Sequence, residues 1–359
     1  MIRLWCDHFS VADQARLSML LPMRLSQYSK RAGLWGTLMI GLMVSTALGQ
    51  TPAGWKLVWQ DEFDGAVLDP SKWEFEVNAD GGGNHELQYY VTNNAVVAGG
   101  NLTITARHEH YSGPSGVREY TSSRIRTRRK ADWRYGRFEL RAKLPWGTGL
   151  WPAFWMLPTD NSYGGWPHSG EIDIVEWVGK TPFTAYGTLH WAGPDGQHTQ
   201  SGGKLELPAV GHPFSSAFHV FALEWEPTEM RWSVDGVQYH SVARWPSDAG
   251  AAPRPFDQRF HLLLNLAVGG DWPGSPDSST VFPQEFIIDY VRVYQRPIPA
   301  PTVQRAGDQL QIDWPAGYAL EQGSLGASDW TRLSGVSPIQ FNPSPDQAFF
   351  RVVDPLSDP

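Results

Sequence analysis

The sequence predicts an all-β protein: an antiparallel sandwich over residues 50–296, followed by a small β module. Charged residues make up 18% of the chain, below the roughly 25% typical of soluble proteins. The 359 residues include 18 Trp, 36 Gly and 28 Pro, a composition rich in aromatic and turn-forming residues. Helical periodicity over ten or more residues is absent. Together these observations exclude a coiled coil, a collagen and a disordered tail protein.

Individual strands are predicted where β-branched or aromatic residues alternate with polar ones at a period of two. In the sandwich the segments are 91–92, 101–106, 136–142 and 230–235. The Asp235-Gly236 pair predicts a tight hairpin turn. The Pro-rich segment 297–301 reads as a stiff linker. Strand candidates of the C-terminal module, residues 302–359, are 309–314, 318–322, 330–333 and 349–353.

The N-terminal residues 1–49 have the pattern of a secretory signal peptide. An apolar run over 34–44 follows basic residues and precedes small residues at the two positions that a signal peptidase reads. The leader has an ordinary length when counted from Met23, which predicts that Met23 is the true start. An uncleaved anchor is the alternative, although the run is shorter than the roughly 18–20 residues of a membrane span. Cleavage would remove Cys6, the only cysteine, and leave a secreted protein, extracellular or periplasmic, with no membrane association.

The charge and the remaining motifs exclude several classes of function. A net charge of −8 argues against nucleic-acid binding, which needs a surface rich in Lys and Arg. The sequence has no phosphate-binding loop, nucleotide fingerprint or Ser-His-Asp signature. His108 and His110 are a weak zinc signal, since further ligands at metal spacing are lacking, and solvent exposure is the favoured interpretation. Nothing in the sequence demands more than a monomer.

The most informative segment is 170–177, with the sequence GEIDIVEW. Side chains alternate along a strand, so Glu171 and Asp173 share one face while Ile172 and Ile174 share the other. Glu176 has the wrong parity for that face. One extra residue restores it, which predicts a β-bulge at Ile174-Val175. Three carboxylates then line one face.

Paired carboxylates at this spacing suit glycosidic bond cleavage. The first and last α-carbons of the three acids would be about 13 Å apart, at ~3.3 Å per step. Leaning side chains could bring two carboxyl groups to about 5 Å, the separation used by retaining glycosidases, whereas inverting enzymes need roughly 6.5–9.5 Å. Mutual repulsion would push the pKa values apart, as acid and base roles require. A solvated edge strand and a calcium site are the alternatives.

The stretch resembles the catalytic strand of glycoside hydrolase family 16, a β-jelly-roll family with a concave substrate cleft, in its bulged ExDxxE form. The surrounding sequence resembles the laminarinase branch and follows the family's order. The matching segments are 57–64 (LVWQDEFD), 83–90 (GNHELQYY), 121–125 (TSSRI), 135–139 (YGRFE), 150–158 (LWPAFWMLP), 187–190 (GTLH), 265–270 (NLAVGG) and 286–294 (FIIDYVRVY).

This resemblance implies a secreted endo-β-1,3-glucanase that hydrolyses β-glucan with retention. Glu171 would be the nucleophile, Glu176 the general acid and base, and Asp173 the residue that tunes the nucleophile. No cofactor is implied for catalysis. The same mechanism on agarose or mixed-linkage glucan is one alternative. A non-catalytic glucan-binding protein is another, but such relatives usually lose one of the acids.

The resemblance also implies sugar-binding residues, because aromatic platforms suit the apolar faces of glucose and polar groups fix its hydroxyls. They are Asn84, Arg124, Trp151, Trp155, His190, Asn265 and Trp272. Core packing stays open for Trp151 and Trp155, and a structural ion pair for Arg124. A core position stays open for His190, and an ordinary turn aromatic for Trp272.

A structural calcium ion is implied on the convex side, away from the chemistry. The matching positions are Glu62, Gly100 and Asp289, where oxygen ligands suit that ion. In the C-terminal module, Trp314 and Trp330 fit a small core or a sugar platform, and the core is favoured.

Overall fold

The computed structural model describes residues 51–297, 300–314, 318–323, 330–333, 337–341 and 349–353. The predicted signal peptide, 1–49, lies outside these residues and stays a prediction. Residues Pro52–Pro297 form one compact unit, and the residues from Ile298 onward belong to another. This boundary falls inside the predicted linker. In the described part of the chain, no helix is long and apolar enough to cross a membrane.

The unit Pro52–Pro297 consists almost entirely of strands, as predicted. In chain order they are β1 (Lys56–Asp61), β2 (Glu74–Glu76), β3 (Gln88–Tyr90), β4 (Ala95–Ala98), β5 (Asn101–Gly113), β6 (Gly116–Ser122), β7 (Arg124–Arg126), β8 (Gly136–Lys143), β9 (Leu150–Pro158), β10 (Glu171–Trp177), β11 (Thr184–Ala192), β12 (His198–Glu206), β13 (His219–Glu226), β14 (Glu229–Val234), β15 (Val237–Val242), β16 (Phe260–Val268) and β17 (Gln284–Gln295). A 3₁₀ turn at Gly81–Gly83 and one short helix, α1 (Pro213–Ser216), interrupt them.

Two sheets pack face to face. The ten-stranded sheet has the order β15-β14-β13-β8-β17-β5-β6-β3, with β1 also paired to β17 and β4 to β5. The seven-stranded sheet has the order β12-β11-β10-β9-β16-β7-β2. Strand pairing is antiparallel except between β3 and β6, which are parallel. The predicted all-β sandwich is confirmed.

The core lies between the sheets and is built from the side chains that alternate inward. Phe154, Ile172 and Leu264 from the seven-stranded sheet are fully buried with Phe221 and Trp232 from the ten-stranded one. Because one face of β10 is committed to this core, its other face is left for polar residues. β10 lies between β9 and β11, so the edge-strand alternative is wrong.

Local predictions succeeded where a turn or a period was strong. The hairpin between β14 and β15 turns at Asp235 and Gly236, whose φ angles of 50° and 79° fit a two-residue turn of the predicted kind. The strand predicted at 91–92 is wrong. β3 ends at Tyr90, and the chain then turns, with the Ala95 amide donating to the Thr92 carbonyl at 3.4 Å.

The C-terminal module forms two three-stranded sheets. Its strands are β18 (Thr302–Ala306), β19 (Gln309–Asp313), β20 (Ala319–Gly323), β21 (Thr331–Arg332), β22 (Ile339–Phe341) and β23 (Phe349–Val353). The sheet orders are β18-β19-β22 and β21-β20-β23. Trp314, Leu320 and Phe350 pack into one small core, which is the favoured interpretation of Trp314. Trp330 is half-buried, with the Arg351 guanidinium 4.5 Å from its ring.

Candidate active site

The β10 strand carries the predicted bulge. Its pairing with β11 shifts register between Asp173 and Glu176, and its pairing with β9 shifts between Asp173 and Val175. The extra residue lets Glu176 return to the side of Glu171 and Asp173. Ile172 and Trp177 are fully buried on the opposite side.

The bulge is held from the other sheet by an indole. Trp232 on β14 is fully buried, and its Nε1 donates to the main-chain carbonyl oxygen of Asp173 at 2.8 Å. Gly187 on β11 makes room for this ring, because a Cβ there would lie 2.3 Å from Trp232 Cδ1. The glycine therefore permits the contact that anchors the carboxylate strand.

Each carboxyl group of the strand has a specific neighbour. Trp166 Nε1 donates to Glu171 Oε2 at 2.6 Å, and Trp151 Nε1 donates to Glu176 Oε1 at 3.1 Å. His190 Nε2 lies 3.0 Å from Asp173 Oδ2. Asp173 is 2% exposed, and its negative charge acts on the neighbouring Glu171. Nitrogen groups thus surround the three acids and fix their directions.

The environment raises the pKa of all three acids. Burial, with the charge of Asp173 added, raises the pKa of Glu171 to about 8. Burial raises the pKa of Asp173 to about 7. Burial, and then the charge of Asp173, raises the pKa of Glu176 well above its ordinary value. The cluster therefore holds protons near neutral pH, and the three groups titrate together. One carboxyl group can donate a proton while another acts as an anion.

An aromatic wall stands beside the carboxylates on β9. Trp151 and Trp155 are partly exposed on one face, whereas Phe154 and Met156 between and after them are buried. The two tryptophans are thus outside the core cluster. Trp155 Nε1 donates to Asn265 Oδ1 at 2.8 Å.

Arg124, which was predicted to bind sugar, lies on β7. This strand is the neighbour of β16, which carries Asn265. In register, Asn265 pairs with Arg124, which in turn pairs with Glu76. The Arg124 guanidinium lies 4.7 Å from the Trp155 ring centre, and its Nε is 2.5 Å from a Glu76 oxygen. The structural ion pair left open from the sequence is therefore present, and it holds the arginine against the aromatic wall.

The chain is similar to a known protein family and to several named proteins. Residues 83–292 match Glycosyl hydrolases family 16. A β-glucanase of Rhodothermus marinus is 45% identical over 290 residues, covering 76% of this chain and 97% of the relative. A glucan endo-1,3-β-glucosidase of Cryptopygus antarcticus is 42% identical over 252 residues, covering 66% of this chain and 91% of the relative. The solved laminarinase from Rhodothermus marinus superposes with a TM-score of 0.60 at 48% identity, covering 67% of this chain and 97% of that one.

The chain belongs to glycoside hydrolase family 16. The fold and family expected from the ExDxxE resemblance are confirmed, including the jelly-roll architecture.

Two loops of this family 16 domain meet beside the aromatic wall. Trp272 packs edge-on against Trp151 with ring centres 5.4 Å apart, and against Tyr186 at 5.0 Å. Asn84 follows the 3₁₀ turn, and its carbonyl oxygen accepts the amide of Asp271 at 2.9 Å. The structure thus joins the loop of Asn84 to that of Trp272 and brings Trp272 to the wall beside Glu176.

The positions that match the family's calcium site are engaged otherwise. Both carboxylate oxygens of Glu62 accept from Arg292, at 2.7 and 2.8 Å, and Asp289 accepts from Arg141 at 2.6 Å. Neither side chain is a free anionic ligand, so these carboxylates do not fit a calcium cage. A Cβ on Gly100 would lie 3.6 Å from Asp64 Oδ1. Calcium binding here stays a prediction that needs backbone carbonyl ligands.

Three residues near the acids were missed from the sequence. Trp166 had a usable signal, a Gly-Gly-Trp-Pro turn five residues before Glu171. His198 and Trp232 had none, because their contacts join separate strands. His108 and His110, the weak zinc signal in the sequence, are exposed side chains. His108 stacks on Tyr120, and His110 pairs with Glu119.

Proposed function

We propose that this chain is an endo-acting β-1,3-glucanase that hydrolyses laminarin-like glucan with retained configuration. The observation that carries the proposal is the bulged β10 strand, which gathers Glu171, Asp173 and Glu176 beside the tryptophans of β9. The named relatives that act on β-1,3-glucan support the substrate class.

The first half-reaction breaks the glycosidic bond. Ionised Glu171 attacks the anomeric carbon, and Glu176 donates its proton to the departing oxygen, which leaves a glycosyl ester on Glu171. The raised pKa of Glu176 keeps that proton available. Trp166, whose Nε1 donates to Glu171 Oε2, holds the nucleophile in place.

The second half-reaction releases the sugar. Glu176, now ionised, removes a proton from water, and the resulting oxygen attacks the anomeric carbon to expel Glu171. Both steps use only carboxyl groups and water, and two inversions give net retention.

The substrate would lie along the partly exposed face of the seven-stranded sheet. Trp151, Trp155 and Trp272 offer flat surfaces for pyranose rings, and Asn84, Arg124, His190 and Asn265 offer polar groups at the edges. Trp151 links the aromatic surface to the carboxylates, because its Nε1 donates to Glu176 while its ring packs on Trp272.

The proposal extends to location and ions. The leader 1–49 would direct the enzyme to an extracellular or periplasmic space, where polymeric glucan is met. A structural calcium ion near Gly100, held by backbone carbonyl oxygens and not by the paired carboxylates of Glu62 and Asp289, would contribute to stability and not to the chemistry. The enzyme would act as a monomer.

The test is an assay of reducing ends and product sizes on laminarin, lichenan, cellulose and agarose, with Glu171→Ser alongside. Short oligosaccharides released rapidly from laminarin by the wild type alone would support the proposal. Cleavage of agarose or lichenan but not laminarin would overturn the substrate. No cleavage of any of the four would favour a protein that binds glucan without cutting it.

A further inference from the structure

An imidazole and two carboxylates converge at one end of the carboxylate cluster. One ligand-capable atom from each of Glu171, Asp173 and His190 lies within 4.8 Å of the others. The closest pair, His190 Nε2 and Asp173 Oδ2, is 3.0 Å apart. Two ligands on a tetrahedral zinc ion stand about 3.3 Å apart when each bond is about 2.0 Å. The Glu171 oxygen, which lies within 4.8 Å of the other two ligand atoms, would have to move closer to complete the set.

Asp173 has a buried carboxylate oxygen with no hydrogen-bond donor aligned to it. Its side chain is 3% exposed, and Oδ2 accepts no hydrogen bond although His190 Nε2 is near. A buried carboxylate oxygen without a donor is costly. A cation between the carboxylates and the imidazole would satisfy it.

A second histidine sets the direction of the first. His190 Nδ1 and His198 Nε2 are 2.9 Å apart, and the two rings stack with centres 5.2 Å apart. When Nδ1 of His190 donates to His198, its Nε2 presents a lone pair toward Asp173. This is the arrangement by which an outer partner prepares a histidine for metal ligation.

We propose that Glu171, Asp173 and His190 form a binding site for a divalent transition-metal ion such as Zn²⁺, with His198 as the outer support. One imidazole nitrogen and two carboxylate oxygens suit Zn²⁺ or Cu²⁺ and disfavour Ca²⁺ and Mg²⁺, which prefer oxygen alone. Water would fill the fourth position. Because the ion would occupy the carboxylate that attacks the sugar, its binding blocks catalysis. The proposed metal binding follows from the geometry alone, whereas the proposed inhibition of catalysis rests on the proposed function.

The binding is tested by titration calorimetry of ZnCl₂ into chelator-treated full-length protein, in a buffer that does not bind metal and without glucan. We expect one ion per chain. His190→Ala should weaken binding at least about tenfold, and His198→Ala should weaken it by about ten- to a hundredfold if the outer support matters as in other zinc sites. His110→Ala, which removes an exposed histidine paired with Glu119, is the matched control and should bind as the wild type does. CaCl₂ and MgCl₂ should produce no comparable binding.

Equal zinc affinity in the wild type and His190→Ala would overturn the site. If that variant does not fold, anomalous diffraction at the zinc edge from wild-type crystals decides the question. A peak between Glu171 and His190 would support the site. A peak elsewhere, or no peak, would overturn it. Zinc should also inhibit laminarin cleavage, with recovery in EDTA, and binding without inhibition would overturn the block. If the metal-free enzyme does not cleave laminarin, the proposed function fails while calorimetry still decides the site.

Discussion

Trp232 donates its indole hydrogen to the main-chain oxygen of Asp173 from the opposite sheet, at 2.8 Å. The two residues are 59 positions apart in sequence, and the bond ties the bulge of β10 to the core. We expect Trp232→Phe to lower kcat by about ten- to a hundredfold, because a shift of about 1 Å in catalytic groups has that effect. KM for laminarin should change little. Steady-state kinetics measure both.

Trp225→Phe is the matched control for that variant. Trp225 is also fully buried, and among the described residues its Nε1 has no hydrogen-bond partner. Both variants remove a similar volume from the core, but only the first removes the anchor. An equal loss of kcat in the two would show that the hydrogen bond to Asp173 has no role in positioning the acids.

Gly187 should resist enlargement. A Cβ at this position would lie 2.3 Å from Trp232 Cδ1 and 2.6 Å from Tyr239 Oη, so Gly187→Ala should destabilise the fold by about 1–3 kcal/mol. At about 2–4 °C per kcal/mol, the thermal midpoint would fall measurably. Gly202→Ala is the control, since its nearest contact would be 3.4 Å from Thr188 Oγ1. Similar midpoints for the two variants would contradict the close packing inferred at Gly187.

The pH profile should depend on Asp173. Its negative charge raises the pKa of both Glu171 and Glu176, so Asp173→Asn should move both limbs of the kcat/KM profile to lower pH. In the wild type the acid limb should lie near neutrality, since burial raises the pKa of Glu171 to about 8 and that of Asp173 to about 7. The kcat/KM profiles of the wild type and of the remaining activity of Asp173→Asn are measured with EDTA present, so that bound metal does not affect them. The exposed Glu206→Gln should leave both limbs in place, and an unshifted profile in Asp173→Asn would refute the charge coupling.

Glu176 should reduce stability at neutral pH. Its folded pKa is raised above the ordinary 4.5, so above pH 4.5 unfolding releases a proton and stability falls as pH rises through the folded pKa. Gln resembles the protonated acid and cannot ionise when unfolded. Glu176→Gln should therefore raise the thermal midpoint at pH 7 and leave it nearly unchanged at pH 4. It should also lower kcat by about 10²–10⁴-fold, the usual range for a general acid. Calorimetry at both pH values checks the stability effect, and an equal rise at pH 4 would contradict it.

The sequence was sufficient where the information is local. The parity of Glu176 relative to Glu171 required a bulge, and the register of β10 has one. The spacing of Trp151 and Trp155 placed both on one face, and they share it. Period and parity follow from backbone geometry alone, so they are readable from a short segment.

The sequence was insufficient where a contact joins distant segments. Three contacts depend on which segments become neighbours in the fold. They are the Trp232–Asp173 hydrogen bond, the His190–His198 pair and the ion pair of Glu62 with Arg292. The strand predicted at 91–92 failed because local propensity did not reveal the turn after β3. β18 and β22 of the small module were also missed, since they are only five and three residues long.

Retention through a Glu171 ester is tested most directly by proton NMR of laminarin cleavage. Spectra are recorded within the first minutes, before mutarotation mixes the anomers. New reducing ends should first appear as the β-anomer, and Glu171→Ser should give no such signal. Initial appearance of the α-anomer would contradict retention, because it would mean direct displacement by water.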